Sequence, residues 1–323
     1  MAASAEDSAS SQGWTRLSER GSIWGMRFTV GCYRVLGRRV ALVVVHLVVA
    51  YFYLTDRAGR RASLAYQRRV FATAEGRAAL GRPPGLLSGF LHYRAFALSI
   101  ADRIELWLGR RADFEFDVQG SEICDRLAAE GRGYIVLGAH LGSFDALRLL
   151  AERQQRCVNV LMFTDHAQRI NRVFRELSPE AEARVIPVVP GSVQSIFEIR
   201  ERLARGELIA VLGDRIEVGD RGRASSVPLL GDRVSLPQSP YLMASLLSCP
   251  VVFMTALRTG DRRYSVIAEM LSDGTPVPRA ERGKKVEELV HAYASCLERC
   301  CVQSPYQWFN FFDYWSDVAE SGT

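Results

Sequence analysis

Residues 134–145 read Tyr134-Ile-Val-Leu-Gly138-Ala-His140-Leu-Gly142-Ser143-Phe-Asp145. An apolar run bounded by glycines ends in a histidine, and a carboxylate follows a Gly-Ser pair. On one continuous helix the step from residue 140 to 145 rotates by roughly 140°, so the two side chains would not share a face. Strand, tight turn and helix fit better. Tyr134–Ala139 suits a short buried strand, Gly142 permits the turn, and Ser143 is the expected helix cap. Asp145 then falls in the first helical turn, where negative charge is favoured, and is expected to reach back to the imidazole. A carboxylate on one ring nitrogen leaves the other free as a general base and stabilises the imidazolium. The competing reading is a capped helix beside an exposed histidine. The place of His140 at the carboxyl end of a strand, where open α/β sheets build their sites, favours chemistry.

Further strands are expected at 114–118, 158–163, 184–189, 208–212, 251–257 and 264–270, with helices at 143–154, 167–177, 192–205, 239–248 and 284–301. This alternation predicts an α/β fold: a mostly parallel or mixed central sheet of about seven strands flanked by helices. The expected division is a disordered tail at 1–13, a helical, basic, membrane-associated region at 14–112, an α/β domain at 113–316 and a tail at 317–323.

Val40–Leu54 is the most apolar stretch, about fifteen residues against the roughly twenty needed to span a bilayer. The mixed residues before it do not form the n-region of a signal peptide. Arginines stand on both sides: Arg34, Arg38 and Arg39 before, Arg57, Arg60 and Arg61 after. Symmetric basic flanks fit a monotopic helix or bent hairpin on an anionic leaflet better than a span, and Tyr51, Phe52 and Tyr53 suit an interface. A buried core helix is the competing reading. The cytoplasmic face of an inner membrane is the expected location.

The 323 residues carry a net charge of +5, almost all the positive charge being arginine. That excess is modest, and no zinc-finger, Walker or RNA-binding signature accompanies it, so a nucleic-acid partner is not expected. Seven cysteines, Cys32, Cys124, Cys157, Cys249, Cys296, Cys300 and Cys301, show no framework spacing and read as reduced, mostly buried thiols. Cys296, Cys300 and Cys301 with His291 suit a helix face better than a metal site.

Three later segments are expected to converge on His140. Arg172 and Arg175 share one face of a predicted helix. Asp214 and Arg215 follow strand 208–212 and so stand at another strand's carboxyl end. Pro228-Leu-Leu-Gly231 with Leu236-Pro-Gln-Ser-Pro240 reads as a proline-rich loop that lines an acyl channel. The aromatic tail Pro305–Trp315 reads first as a hydrophobic lid on the core, and aromatic walls also suit a lipid pocket. A serine hydrolase lacks support because the G-x-S-x-G elbow is absent, and Asp165-His166 match no metal-ligand spacing.

Together these segments resemble the bacterial lipid A biosynthesis (late) acyltransferases of the lysophospholipid acyltransferase superfamily. The resemblance rests on Gly138-Ala-His-Leu-Gly-Ser-Phe-Asp145, the basic helix ending at Arg175, Gly213-Asp-Arg215, Pro228–Gly231 with Leu236-Pro, and Gln307–Trp315. It looks closest to the predicted acyltransferases of aryl-polyene or xanthomonadin-type gene clusters. Asp145 stands where the lipid A enzymes usually carry Glu, which argues against a lipid A acceptor and leaves the chemistry unchanged. The resemblance implies a membrane-associated transfer of a fatty acyl group from acyl carrier protein, or coenzyme A, to a hydroxyl or amine of a lipid or glycolipid acceptor. His140 would be the base and Asp145 its partner. Arg172, Arg175, Asp214 and Arg215 would bind substrate, with amides near Ser143 at the oxyanion. It implies no metal or other cofactor. The alternative function is a non-catalytic, membrane-bound lipid-binding protein on the same scaffold.

Overall fold

The computed structural model describes residues 23–163, 184–188, 193–216 and 224–315. Strand β2 (Tyr134–Gly138) is buried at every position, as befits an interior strand of a sheet covered on both faces. Around it a seven-stranded sheet has the order β1-β9-β8-β2-β5-β3-β4. The other members are β1 (Glu115–Gln119), β3 (Val158–Phe163), β4 (Arg184–Val188), β5 (Leu208–Leu212), β8 (Val251–Gly260) and β9 (Arg263–Ser272). The run β8-β2-β5-β3-β4 is parallel throughout. Strand β9 turns back antiparallel on β8, and β1 runs parallel to β9. The sheet is therefore mixed, with its parallel portion around β2 as expected.

From residue 121 onward, helices α5 (Ser121–Ala129), α6 (Phe144–Arg153), α7 (Val193–Ala204), α8 (Ser239–Leu247) and α9 (Arg282–Gln303) accompany the strands. Sequence reasoning missed α5, a short helix between two strands. The helix expected at 167–177 lies outside the described residues. Cys296, Cys300 and Cys301 are buried positions of α9, and burial pushes the Cys296 and Cys300 thiols up to about 12.

The expected loop at 228–240 is instead a hairpin. Strands β6 (Ala224–Leu229) and β7 (Asp232–Pro237) pair antiparallel. Leu230 and Gly231, both at positive φ, make the two-residue turn that suits the twist of a hairpin. Pro228 and Pro237 are tolerated because a two-stranded sheet has only edge strands. Val227, Leu229, Leu230, Val234 and Leu236 enter the main core rather than the wall of a channel.

Among the described residues, four α-helices precede the sheet: α1 (Ile23–Thr55), α2 (Arg57–Ala72), α3 (Ala74–Leu80) and α4 (Leu86–Trp107). Helix α1 breaks at Gly37, whose φ of 75° is open to glycine. Beyond the break, Gly37–Thr55 is long and apolar enough to cross a membrane. It packs Ala41, Val49 and Tyr53 against Tyr93, Ala101 and Ile104 of α4. Its other face leaves Val43, Leu47, Tyr51 and Leu54 between 61% and 71% exposed. His46 is accommodated mid-run because Nδ1 meets the Leu42 carbonyl at 2.6 Å while Arg94 donates to Nε2 at 2.9 Å.

One of the flanking arginines does not face the surface. Arg38 is nearly buried and meets Glu105 at 2.6 Å and Asp102 at 3.2 Å. Both carboxylates are buried on α4, and Arg258 and Arg262 of the β8–β9 hairpin meet them at 2.7 Å each. One ionic cluster thus joins α1, α4 and the sheet. Buried charges are stable only when paired in this way.

Candidate active site

His140 stands two residues past the end of β2, and Asp214 two residues past the end of β5. The register pairs Gly138 with Leu212, and the Gly213 amide extends the ladder by donating to the Gly138 carbonyl at 3.0 Å. Residues 140 and 214 therefore emerge side by side. His140 Nδ1 lies 2.9 Å from Asp214 Oδ1, and the His140 backbone N–H donates to Oδ2 at 3.0 Å. Trp308 Nε1 donates to the same Oδ2 at 3.0 Å. Asp214 is fully buried, and burial by itself would raise its carboxyl. The His140 ring and its hydrogen bond, then Arg215 and the Trp308 indole, outweigh burial and hold the group well below the usual carboxylate range. An ionised Asp214 holds the proton on Nδ1 and leaves Nε2 as the basic nitrogen. The His140 side chain is 32% exposed, and among the described residues no partner meets Nε2.

The turn beyond His140 is tightly specified. Gly142 has φ of 71°, and a Cβ there would lie 2.2 Å from the Ala256 carbonyl oxygen. The Ser143 amide donates to that same carbonyl at 2.8 Å, and Thr255 Oγ1 donates to the Leu141 carbonyl at 2.8 Å. The Ser143 hydroxyl caps α6, accepting from the Ala146 amide at 3.2 Å. Among the described residues, the amides of Phe144 and Asp145 in the first turn meet no acceptor.

Asp145 sits in that first turn, but the carboxylate on Nδ1 is Asp214. Arg103 of α4 donates through Nε to Asp145 Oδ2 at 2.5 Å. The reason is geometric. Strand register brings residue 214 to the ring, whereas the capped start of α6 turns residue 145 toward α4. Arg215 adds its charge beside Asp214, and its guanidinium reaches the tail. Arg215 donates to Asn310 Oδ1 at 2.7 Å and to the Phe309 carbonyl at 3.1 Å, and it lies over the Phe312 ring. Its visible role is to hold the tail. Arg172 and Arg175 lie outside the described residues, as do Asp165 and His166. Among the described residues, no group of three or more His, Cys, Asp or Glu side chains is arranged to hold a metal.

The aromatic tail, read first as a lid, reaches the site itself. The Phe309 amide donates to the His140 carbonyl at 2.7 Å, and the Gly142 amide to the Gln307 carbonyl at 3.0 Å. Leu141 and Trp308 thereby face each other as an antiparallel bridge. Tyr314 hydrogen-bonds the Asp214 carbonyl, and buried His92 of α4 meets the Trp308 carbonyl through Nε2 at 2.9 Å. Burial lowers the His92 ring to about 4 despite that bond. Trp308, His92 and Arg103 escaped sequence reasoning. The density of aromatics around residue 308 is the only signal that points toward the first of them.

No curated protein matches the chain. Residues 91–316, from within α4 through the aromatic tail, match the family described as bacterial lipid A biosynthesis acyltransferase. That match takes in His140, Asp145, Asp214, Arg215 and Trp308 and covers more than half of the chain, which therefore belongs to this family of acyltransferases.

Proposed function

We propose that the protein moves a fatty acyl group from a carrier-protein or coenzyme A thioester to a hydroxyl or amine of a lipid-type acceptor, with His140 as general base and Asp214 as its partner. The observation that carries this reading is the 2.9 Å contact between His140 Nδ1 and a buried, ionised carboxylate, with Nε2 left open. Nε2 takes the proton of the acceptor as its oxygen or nitrogen attacks the thioester carbonyl. Asp214 stabilises the imidazolium, and the Phe144 and Asp145 amides are the candidate donors to the tetrahedral oxyanion. Collapse of the intermediate breaks the carbon–sulfur bond, and His140 returns its proton to the departing thiolate. Neither a metal nor a further cofactor takes part.

The site works at a membrane surface. Exposed apolar residues of α1 and the exposed arginines Arg57 and Arg61 at the start of α2 suit an interface of acyl chains and anionic headgroups. The cytoplasmic face of an inner membrane is the proposed setting.

Mass spectrometry of lipid extracts from cells carrying the wild-type gene, a deletion or His140→Ala tests the reading. A lipid that lacks one acyl chain in both mutant strains identifies the acceptor. Full restoration by His140→Ala would remove the general-base mechanism and leave a lipid-binding protein.

A further inference from the structure

Fully buried His92 of α4 is bonded through both ring nitrogens. Nε2 meets the Trp308 carbonyl at 2.9 Å, and Nδ1 meets Ser63 Oγ of α2 at 2.9 Å. A carbonyl only accepts, so Nε2 carries the proton and the Nδ1 lone pair takes the Ser63 O–H. The Ser63 oxygen in turn accepts from Gln67 Nε2 at 3.2 Å, and the same nitrogen donates to the Ser88 carbonyl at 3.2 Å. Ser63 and Gln67 are fully buried as well. Each donor from Gln67 to His92 therefore meets an acceptor, and a single tautomer of His92 completes the chain. A buried network with its donors satisfied in this way holds its members rigidly. Burial keeps the ring uncharged at neutral pH.

The far end of this chain reaches the backbone of the base. The peptide that joins Trp308 to Phe309 donates its N–H to the His140 carbonyl at 2.7 Å. Its C=O accepts from His92 Nε2 and, at 2.9 Å, from the Asn310 amide. A planar peptide bonded at both edges resists rotation, so the direction in which the Trp308 side chain leaves the backbone is set. The indole packs edge-on against Tyr66 of α2, with centroids 5.3 Å apart, and donates to Asp214 Oδ2 at 3.0 Å. The His140 backbone N–H donates to that same oxygen. His140, Trp308 and Asp214 thus close a ring of hydrogen bonds, and His92 braces it from the side of α2 and α4.

We infer that His92 is a positioning residue for the His140–Asp214 pair: oriented by Ser63, it clamps the Trp308–Phe309 peptide and so keeps the indole N–H on Asp214. The inference rests on the acyl-transfer reading for what the pair does. His92 touches neither His140 nor Asp214 through its side chain and acts only through Trp308. Helices α2 and α4, which precede the sheet, therefore contribute to the order of the site although neither supplies the base or its carboxylate.

The test is hydrogen exchange of the Trp308 indole N–H, followed by NMR on the full-length protein in detergent micelles with isotope-labelled tryptophan and valine. Trp308→Phe identifies the indole signal by deleting it. His92→Phe keeps a ring and removes both hydrogen bonds. It should speed exchange at Trp308 Nε1 by ~10-fold or more, equal to about 1.4 kcal/mol of lost protection, while the amide of Val136 in β2 exchanges as in the wild type. His92→Gln, whose side-chain amide can still donate to the Trp308 carbonyl, should retain slow exchange at the indole. Ser63→Ala, a smaller change, should speed exchange at Trp308 with the same selectivity, and it carries the test if His92→Phe does not fold. Unchanged exchange at the indole in the folded variants overturns the inference. So does a rise shared equally by Trp308 and Val136, the mark of a residue that serves overall stability alone. A His92→Gln protein that exchanges as fast as His92→Phe overturns it too. The readout needs no turnover. A protein with the expected pattern that never transfers an acyl group would sink the acyl-transfer reading and leave the clamp standing.

Discussion

His140 and Asp214 meet at 2.9 Å because parallel strands β2 and β5 end in register, Gly138 opposite Leu212, and each chain continues two residues further. The carboxylate nearer in sequence, Asp145, is engaged by Arg103 instead.

That division of labour separates two substitutions that sequence spacing would rank the other way. Asp214 accepts from the His140 ring, the His140 amide and the Trp308 indole. In Asp214→Asn an NH2 group must face at least one of these donors, and the ring loses its ionised partner. The expected fall in kcat is ~10²-fold or more, the scale of a lost general base. Asp145→Asn should keep kcat within ~10-fold of wild type, since Asp145 touches Arg103 rather than the base. Steady-state transfer assays of both variants decide the matter, and a larger kcat loss in Asp145→Asn would reject the assignment.

Trp308→Phe preserves a ring in the core and deletes one donor to Asp214. Removing one hydrogen-bond partner and part of a buried side chain should cost about 1–3 kcal/mol. A lower denaturant midpoint together with a reduced kcat is the expected pair of results. An unchanged kcat would show that the indole N–H is irrelevant to the dyad.

Gly142→Ala places a methyl against the backbone carbonyl of Ala256 at a positive φ. The carbonyl is already bonded by the Ser143 amide, so little can give way. The variant should lose stability by more than the ~1 kcal/mol typical of a strained αL residue and lose activity with it. A fully active, equally stable Gly142→Ala would show that the turn is softer than its geometry implies.

His92 gives the fold a predictable acid limb. Its ring is lowered to about 4 from a usual value near 6.5, so the unfolded chain binds a proton that the native protein refuses. Stability from this group is complete above the unfolded value and is lost as pH falls from about 6.5 toward 4. The slope is at most about 1.4 kcal/mol per pH unit. Denaturant titrations between those pH values should show it, and His92→Gln should flatten it. An equally steep slope in His92→Gln would place the acid sensitivity elsewhere.

Arg38 joins α1 to the buried carboxylates of α4. Arg38→Met leaves Glu105 and Asp102 to the remaining arginines, and breaking a buried pair costs ~3–5 kcal/mol. The melting temperature should fall, with limited proteolysis opening α1 before the sheet. A simultaneous loss of both would mean that α1 and the sheet unfold as one unit.

The interior sheet strands were legible as apolar runs closed by turn residues, the edge strand β1 alternates polar with apolar residues, and His140 was legible as a residue leaving a buried strand. The β6–β7 hairpin was not. Pro228 and Pro237 resemble loop punctuation, and their tolerance on edge strands appears only once the pairing is known. Helix α5 is amphipathic but short, with little periodicity to read. Arg38 looked like a membrane flank because its partners lie on α4, far along the chain.

What the sequence determined by itself was therefore local: the buried strand, the glycine turn, the Ser143 cap and the histidine they leave exposed. Each depends on residues within a turn or two of one another. Tertiary structure alone decided which carboxylate holds the imidazole, since Asp214 lies 74 residues from His140 and reaches it through strand register. It likewise decided that Trp308 enters the site and that Asp145 turns to Arg103. Register is chosen by core packing across the whole sheet, because a one-residue slip would carry every buried side chain to the wrong face, and no spacing along the chain encodes that choice.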